Sequence, residues 1–176
     1  MERLSISLDN ECIKIIENCL QKHCGSSKAD IIRKALQNLK LYEKLQEKTS
    51  LENIDAYIKY LAKMEHMIID IAHCKSIFEE IGEGSEEFWK KVHDIGVEHY
   101  REFSDRGIKN IRKILKYIEK TNWYQLNVDT ENSYTLILTV SESSKFVKTF
   151  FEGVFYNYPK DVEITEEFKK IRIRVI

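Results

Sequence analysis

The opening residues constrain this chain more than any other stretch. Leu4, Ile6 and Leu8 alternate with Arg3, Ser5 and Ser7, the period-two pattern of a strand with one apolar and one hydrogen-bonding face. Asp9-Asn10-Glu11 follows at once and reads as a helix start, a capping side chain followed by an acid in the first turn. So short a terminal strand has no stability alone. It needs a partner strand, and the nearest copy lies in a second chain.

The pattern then turns helical. Cys12, Ile16, Cys19 and Leu20, with Ile13 beside them, form the apolar face of a first helix over about 10–23. Gly25 is expected to end it in a left-handed cap. Ser27-Lys28-Ala29-Asp30 has capping-box spacing and opens a second helix, which runs to about Lys48 on Ile31, Ile32, Ala35, Leu36, Leu39 and Tyr42. The turn His23-Cys24-Gly25-Ser26-Ser27 leaves Ser26 as a competitor for the capping role. A third helix is expected over about 51–81, with Ile54, Tyr57, Leu61, Met64, Ile68, Ile71 and Phe78 spaced alternately by three and four except at Lys75. That seam suits either a dimer coiled coil or packing on the rest of the same chain. Gly82-Glu83-Gly84-Ser85 reads as a domain boundary.

Beyond it the order is helix (about 86–103), helix (107–120), strand (123–128), strand (134–140), helix (143–156), strand (162–165) and strand (169–175). Ile171, Ile173 and Val175 alternate with Lys170, Arg172 and Arg174, so one face of the last strand is buried and the other solvated. The expected architecture is multi-domain. It comprises an N-terminal unit (1–48), a helical connector (49–84) and a C-terminal α+β domain with a small antiparallel sheet (85–176).

The chain has 176 residues and a net charge of −1, so no bulk charge draws it to nucleic acid. Charge is unevenly spread. Residues 1–48 carry nine Lys and Arg against seven Asp and Glu, and residues 49–84 carry three against seven. Residues 85–176 carry sixteen against fifteen. Neither a signal peptide nor an apolar run of membrane-spanning length is present, so the chain reads as cytoplasmic, with no membrane partner. Cys12, Cys19, Cys24 and Cys74 lack C-x-x-C spacing and read as packed or free thiols.

Residues 3–45 resemble the ribbon-helix-helix transcriptional regulators of the MetJ/Arc/CopG type. The resemblance rests on Arg3-Leu4-Ser5-Ile6-Ser7-Leu8, the cap at Asp9-Asn10-Glu11, the turn Gly25-Ser26-Ser27-Lys28 and the run Ala29-Asp30-Ile31-Ile32-Arg33-Lys34-Ala35-Leu36. It implies a swapped-strand dimer whose paired strands enter the major groove of double-stranded DNA. On that reading Arg3, Ser5 and Ser7 face the bases. Arg3 suits a bidentate pair to guanine, while Ser5 and Ser7 accept several partners. The second helix start, through Ser27 and Lys28 with Ser26 as alternate, would hold a DNA phosphate. An ordinary polar strand face and a plain helix cap are the rival readings of these residues.

The C-terminal half has a weaker resemblance to the ligand-binding domains of the 4-vinyl-reductase type. It rests on His93-Asp94-Ile95-Gly96-Val97-Glu98, on Thr121-Asn122-Trp123-Tyr124, and on the run 146–154 leading into Val162-Glu163-Ile164. It implies a pocket for a small-molecule effector beside the late helix. No cysteine follows Cys74, so the zinc site of some of those domains does not carry over. The dense aromatics Trp123, Tyr124, Phe146, Phe150, Phe151, Phe155, Tyr156 and Tyr158 suit either such a pocket or a packed core with a dimer patch. Lys109, Arg112, Lys113, Lys116 and Lys120 form a basic stripe, either a solvated face or a contact to flanking DNA. His23, His66, His73, His93 and His99 have poor metal-ligand spacing. No Gly-rich phosphate loop, nucleophile elbow or H-E-x-x-H motif occurs.

The expectation is therefore a non-enzymatic, sequence-specific DNA-binding regulator and repressor. It would be a homodimer or higher homo-oligomer, without cofactor or metal, whose C-terminal domain senses an effector or drives oligomerisation. The alternative is an antitoxin-like interaction module that represses its own promoter.

Overall fold

A computed structural model describes residues 5–62 and 66–176. The chain divides into two compact units, Met1–Asp55 and Ala56–Ile176.

The first unit is built on two helices, α1 (Asn10–Gln21) and α2 (Lys28–Gln46). Asp9 caps α1 by accepting the Cys12 amide at 2.7 Å. The turn differs from the sequence expectation. The residue with positive φ is His23 (56°), not Gly25. Gly25 serves a steric need instead, because a Cβ there would stand 2.7 Å from the Ile31 side chain. Ile31 and Ile16 are the two buried apolar side chains of this unit among the described residues. Ile6, Ile13, Ile15, Leu36, Leu39, Leu41 and Tyr42 are exposed. A unit of this size with so little buried apolar surface offsets only a small part of its ordering entropy.

The expected N-terminal strand is not formed within the single chain over residues 5–8, which are irregular and exposed; residues 1–4 lie outside the described residues. A strand is stabilised by ladder hydrogen bonds, and a single chain offers this segment no partner.

The expected helix over 51–81 is two helices, α3 (Leu51–Ala62) and α4 (Ile71–Ile81). Residues 66–70 are irregular, and Asp70 starts α4 by accepting the Ala72 amide at 2.8 Å. The apolar period runs through the break, yet Ile68 is 84% exposed, so no continuous seam forms. Met64 lies outside the described residues.

The second unit holds the main core. Its remaining elements are α5 (Glu86–Asp105), α6 (Ile111–Glu119), β1 (Tyr124–Thr130), β2 (Ser133–Leu138), α7 (Ser144–Val154), β3 (Val162–Glu167) and β4 (Lys170–Val175). The four strands form one antiparallel sheet in the order β1-β2-β4-β3. Tyr124, Tyr134, Leu136, Leu138, Ile171 and Ile173 are buried and pack with Ile111, Ile114, Leu115 and Ile118 of α6 and Val147, Phe151 and Val154 of α7. Fully burying each such side chain is worth about 1.5–3 kcal/mol. The chain is thus of mixed α+β class, with seven α-helices and the small sheet among the described residues.

Two glycines set the packing of α5 on α7. A Cβ on Gly96 would lie 2.2 Å from the Phe150 carbonyl oxygen, and one on Gly153 would lie 2.0 Å from that of His93. These helices meet backbone to backbone, which only residues without a side chain permit. At the other end, Phe78 of α4 packs on Trp123 and Phe146, and Lys75 reaches Glu142 at 3.1 Å. Burial holds the Tyr124 phenol well above its ordinary range, and its hydroxyl donates to the Leu115 carbonyl at 2.7 Å.

Candidate nucleic-acid interface

The start of α2 gathers a connected set of polar side chains. Ser27 has extended backbone (φ −160°, ψ 164°), and its hydroxyl accepts the Asp30 amide at 3.1 Å. Ser27 is therefore the cap, and Ser26 is not. The Asp30 carboxylate folds back one residue further than a capping box requires. Its Oδ2 accepts the Ser26 amide at 3.0 Å and the Ser26 hydroxyl at 3.3 Å. Lys34 stands 3.3 Å from the same oxygen and donates to the Cys24 carbonyl at 2.9 Å, while Arg33 lies 3.6 Å from Oδ1. The Ser26 backbone hydrogen bond first, and then Lys34, hold the Asp30 carboxyl below its usual range.

This arrangement sorts the expected phosphate-binding set. Ser26 commits both its donors to Asp30. The Ser27 oxygen is engaged as acceptor, leaving its proton free to donate. The amides of Lys28 and Ala29 have no backbone or side-chain acceptor among the described residues, as the first amides of a helix do not. The Lys28 ammonium rests 3.7 Å from Glu17, and both side chains are more than half exposed. So exposed a pair is weak and readily exchanged for an external anion. The start of α2 can thus offer two amides, a hydroxyl proton and an ammonium to one anion. Lys34 and Arg33 offset the nearby Asp30 charge.

The sequence reading overlooked Lys34 and Arg33. Their signal was their spacing of four and three from Asp30, the distances at which helical side chains meet. Of the expected base-facing residues, Ser5 and Ser7 are exposed and Arg3 lies outside the described residues.

In the second unit the aromatics pack chiefly on one another. Trp123 stacks on Phe146 at 5.3 Å, and Phe151 stacks on Phe155 at 5.8 Å. A hollow of about 310 Å³ lies beside β3, lined in part by Glu152, Tyr156, Lys160 and Asp161. It is bounded by charged groups as well as rings, unlike the apolar enclosure the weaker resemblance implies. His93 rests against Tyr156, and His99 Nδ1 is 2.9 Å from the Ile95 carbonyl oxygen. Among the described residues no group of three or more His, Cys, Asp or Glu could hold a metal ion, and no helix is long and apolar enough to cross a membrane. Compared with family models, curated proteins and solved structures, the chain matches none.

Proposed function

We propose that this protein is a dimeric, sequence-specific DNA-binding regulator, acting as a repressor. Residues 1–8 of two chains pair into a ribbon that enters the major groove, with Arg3, Ser5 and Ser7 toward the bases. The start of α2 holds a backbone phosphate through Ser27, Lys28 and the Ala29 amide. The second unit serves oligomerisation or effector sensing.

The observation that carries this reading is the incomplete first unit. It has two capped helices and a tight turn, yet Ile6, Leu36 and Leu39 are 51%, 61% and 53% exposed. A second copy, crossing its helices over these and completing the ribbon, would supply the missing core. The compact core of the second unit weighs against the antitoxin alternative, whose partner-binding tail would be disordered until bound.

The test is binding to genomic DNA fragments at several salt concentrations. Arg3→Ala should relax sequence preference. Lys28→Ala should weaken all sites alike and reduce the salt slope by about 1 per protomer. A wild-type protein without salt-dependent DNA binding refutes the reading.

A further inference from the structure

The helix α6 carries a cationic face without an ion-pair partner among the described residues. Arg112, Lys113 and Lys116 are exposed on it, and Lys109 is exposed just before its cap, Asn110. None of the four makes a side-chain hydrogen bond or ion pair with the described residues. Three lysines on the other helices of the same unit are paired along their helix: Lys90 with Asp94 at 2.5 Å, Lys91 with Glu87 at 2.8 Å, and Lys148 with Glu152 at 3.7 Å. Lys120, at the end of α6, is half-buried and already engaged within the chain, so it is not counted with the four.

Three features make this more than a solvated face. Glu119, the only acid in the helix, turns its carboxylate to the Leu126 backbone amide at 2.7 Å. It caps an outward-facing amide of β1 and so is committed elsewhere. Arg112 and Lys116 are four residues apart, Lys113 and Lys116 three, so like charges face one another along the helix. Arg112 and Lys113 also lie in the first turn, which has no acid and where the helix dipole disfavours cations. The like-charge spacings and the two first-turn cations oppose local stability, and an external polyanion relieves both, while Lys116 in the last turn is favoured by the dipole.

The shape selects the class of polyanion. Three of the cations stand on a convex helix surface and Lys109 just before it, so an extended chain of charges fits better than a small anion needing a cavity. Arg112 and Lys116 are about 6 Å apart along the axis, close to two phosphate steps of one DNA strand at about 3.4 Å each. A membrane surface fits poorly. An interfacial helix buries its apolar face in lipid, whereas Ile111, Ile114, Leu115 and Ile118 are already buried in the protein core.

We infer that Lys109, Arg112, Lys113 and Lys116 form a second nucleic-acid contact, which binds the sugar-phosphate backbone of duplex DNA without reading sequence. The inference rests on the DNA-binding reading of the first unit and extends it.

The experiment measures affinity for a duplex against salt concentration by fluorescence anisotropy, using the full-length chain. Four proteins are compared: wild type, the quadruple variant Lys109→Gln/Arg112→Gln/Lys113→Gln/Lys116→Gln, the control Lys90→Gln/Lys91→Gln/Lys148→Gln, and Arg3→Ala/Lys28→Ala. Circular dichroism verifies that each is folded. The quadruple variant should flatten the slope of log affinity against log salt by up to about 3.6 per protomer, at about 0.9 per lost phosphate contact. Its sequence preference should persist, and the control should match wild type. A quadruple variant with the wild-type slope overturns the inference and leaves the first-unit reading standing. A flattened slope in the quadruple variant, with Arg3→Ala/Lys28→Ala binding as wild type, supports the inference and overturns the first-unit reading. Loss of binding to phosphatidylserine vesicles with an unchanged DNA slope assigns the face to a membrane and overturns the inference.

Discussion

Replacing Gly153 by alanine tests the backbone contact on which the second unit depends. The new Cβ would stand 2.0 Å from the His93 carbonyl oxygen and 3.1 Å from the Gly96 Cα. Both obstacles are backbone, so no side chain can swing aside, and α5 and α7 must part by about 1 Å. Overpacking of this kind costs about 1–3 kcal/mol, and a backbone-to-backbone clash belongs at the upper end. Alanine recovers about 0.5–1 kcal/mol of helix propensity, so the net loss should be about 2 kcal/mol. With a urea dependence of about 2 kcal/mol per molar, the unfolding midpoint should fall by about 1 M. Gly96→Ala should behave alike, because its Cβ would meet the Phe150 carbonyl oxygen at 2.2 Å. The double variant should lose less than the sum of the two, since one separation of the helices relieves both clashes. An unchanged or raised midpoint for Gly153→Ala, as expected at an unobstructed helix glycine, would refute the argument.

Two further outcomes concern the first unit. Backbone hydrogen bonds, from Cys12 to Asp9 and from Ser26 to Asp30, hold both carboxyls below their usual range. The stabilisation they give is full above the unfolded carboxylate value of about 4 and is lost as pH falls through the depressed folded values. The protection of the α1 and α2 amides against hydrogen exchange, relative to the intrinsic rate at each pH, should therefore fall below about pH 4, with a flatter acid dependence in Asp30→Asn. An identical profile in that variant would remove Asp30 from the account. Leu36→Lys combined with Leu39→Lys should convert a dimer to a monomer in sedimentation, because both side chains are exposed in the single chain. A wild-type protein that is monomeric at micromolar concentration would exclude the shared core.

The second unit was the more legible half. Alternation at Ile171, Ile173 and Val175 announces a strand with one buried side, and the structure puts β4 inside the sheet with Ile171 and Ile173 buried. Its helices also lie close to where periodicity sets them, although α6 starts at Ile111 rather than 107 because Asn110 caps it. Over 51–81 the apolar period continues across residues 66–70, which are not helical. Spacing alone cannot report that Asp70 starts a new helix. Gly25 lies in the expected turn, but its space is needed by Ile31 rather than by its own backbone angle. In the candidate site, the Ser27 cap is legible from capping chemistry. The claim of Asp30 on Ser26 is not, because it depends on how the turn closes.

The residues themselves determined the local chemistry. Asp9, Ser27, Ser85 and Asn110 each cap a helix by bonding an amide three positions on. Such contacts span less than one turn and need nothing from the rest of the chain. Tertiary structure decided the contacts between distant residues. It pressed Gly96 against Gly153, and it drew Glu119 to the Leu126 amide and away from the α6 cations. It also left the apolar faces of the first unit open. The physical reason is range. A cap is set by neighbours along the chain, whereas a close approach, or a charge left without a partner, exists only once packing has brought separate segments together.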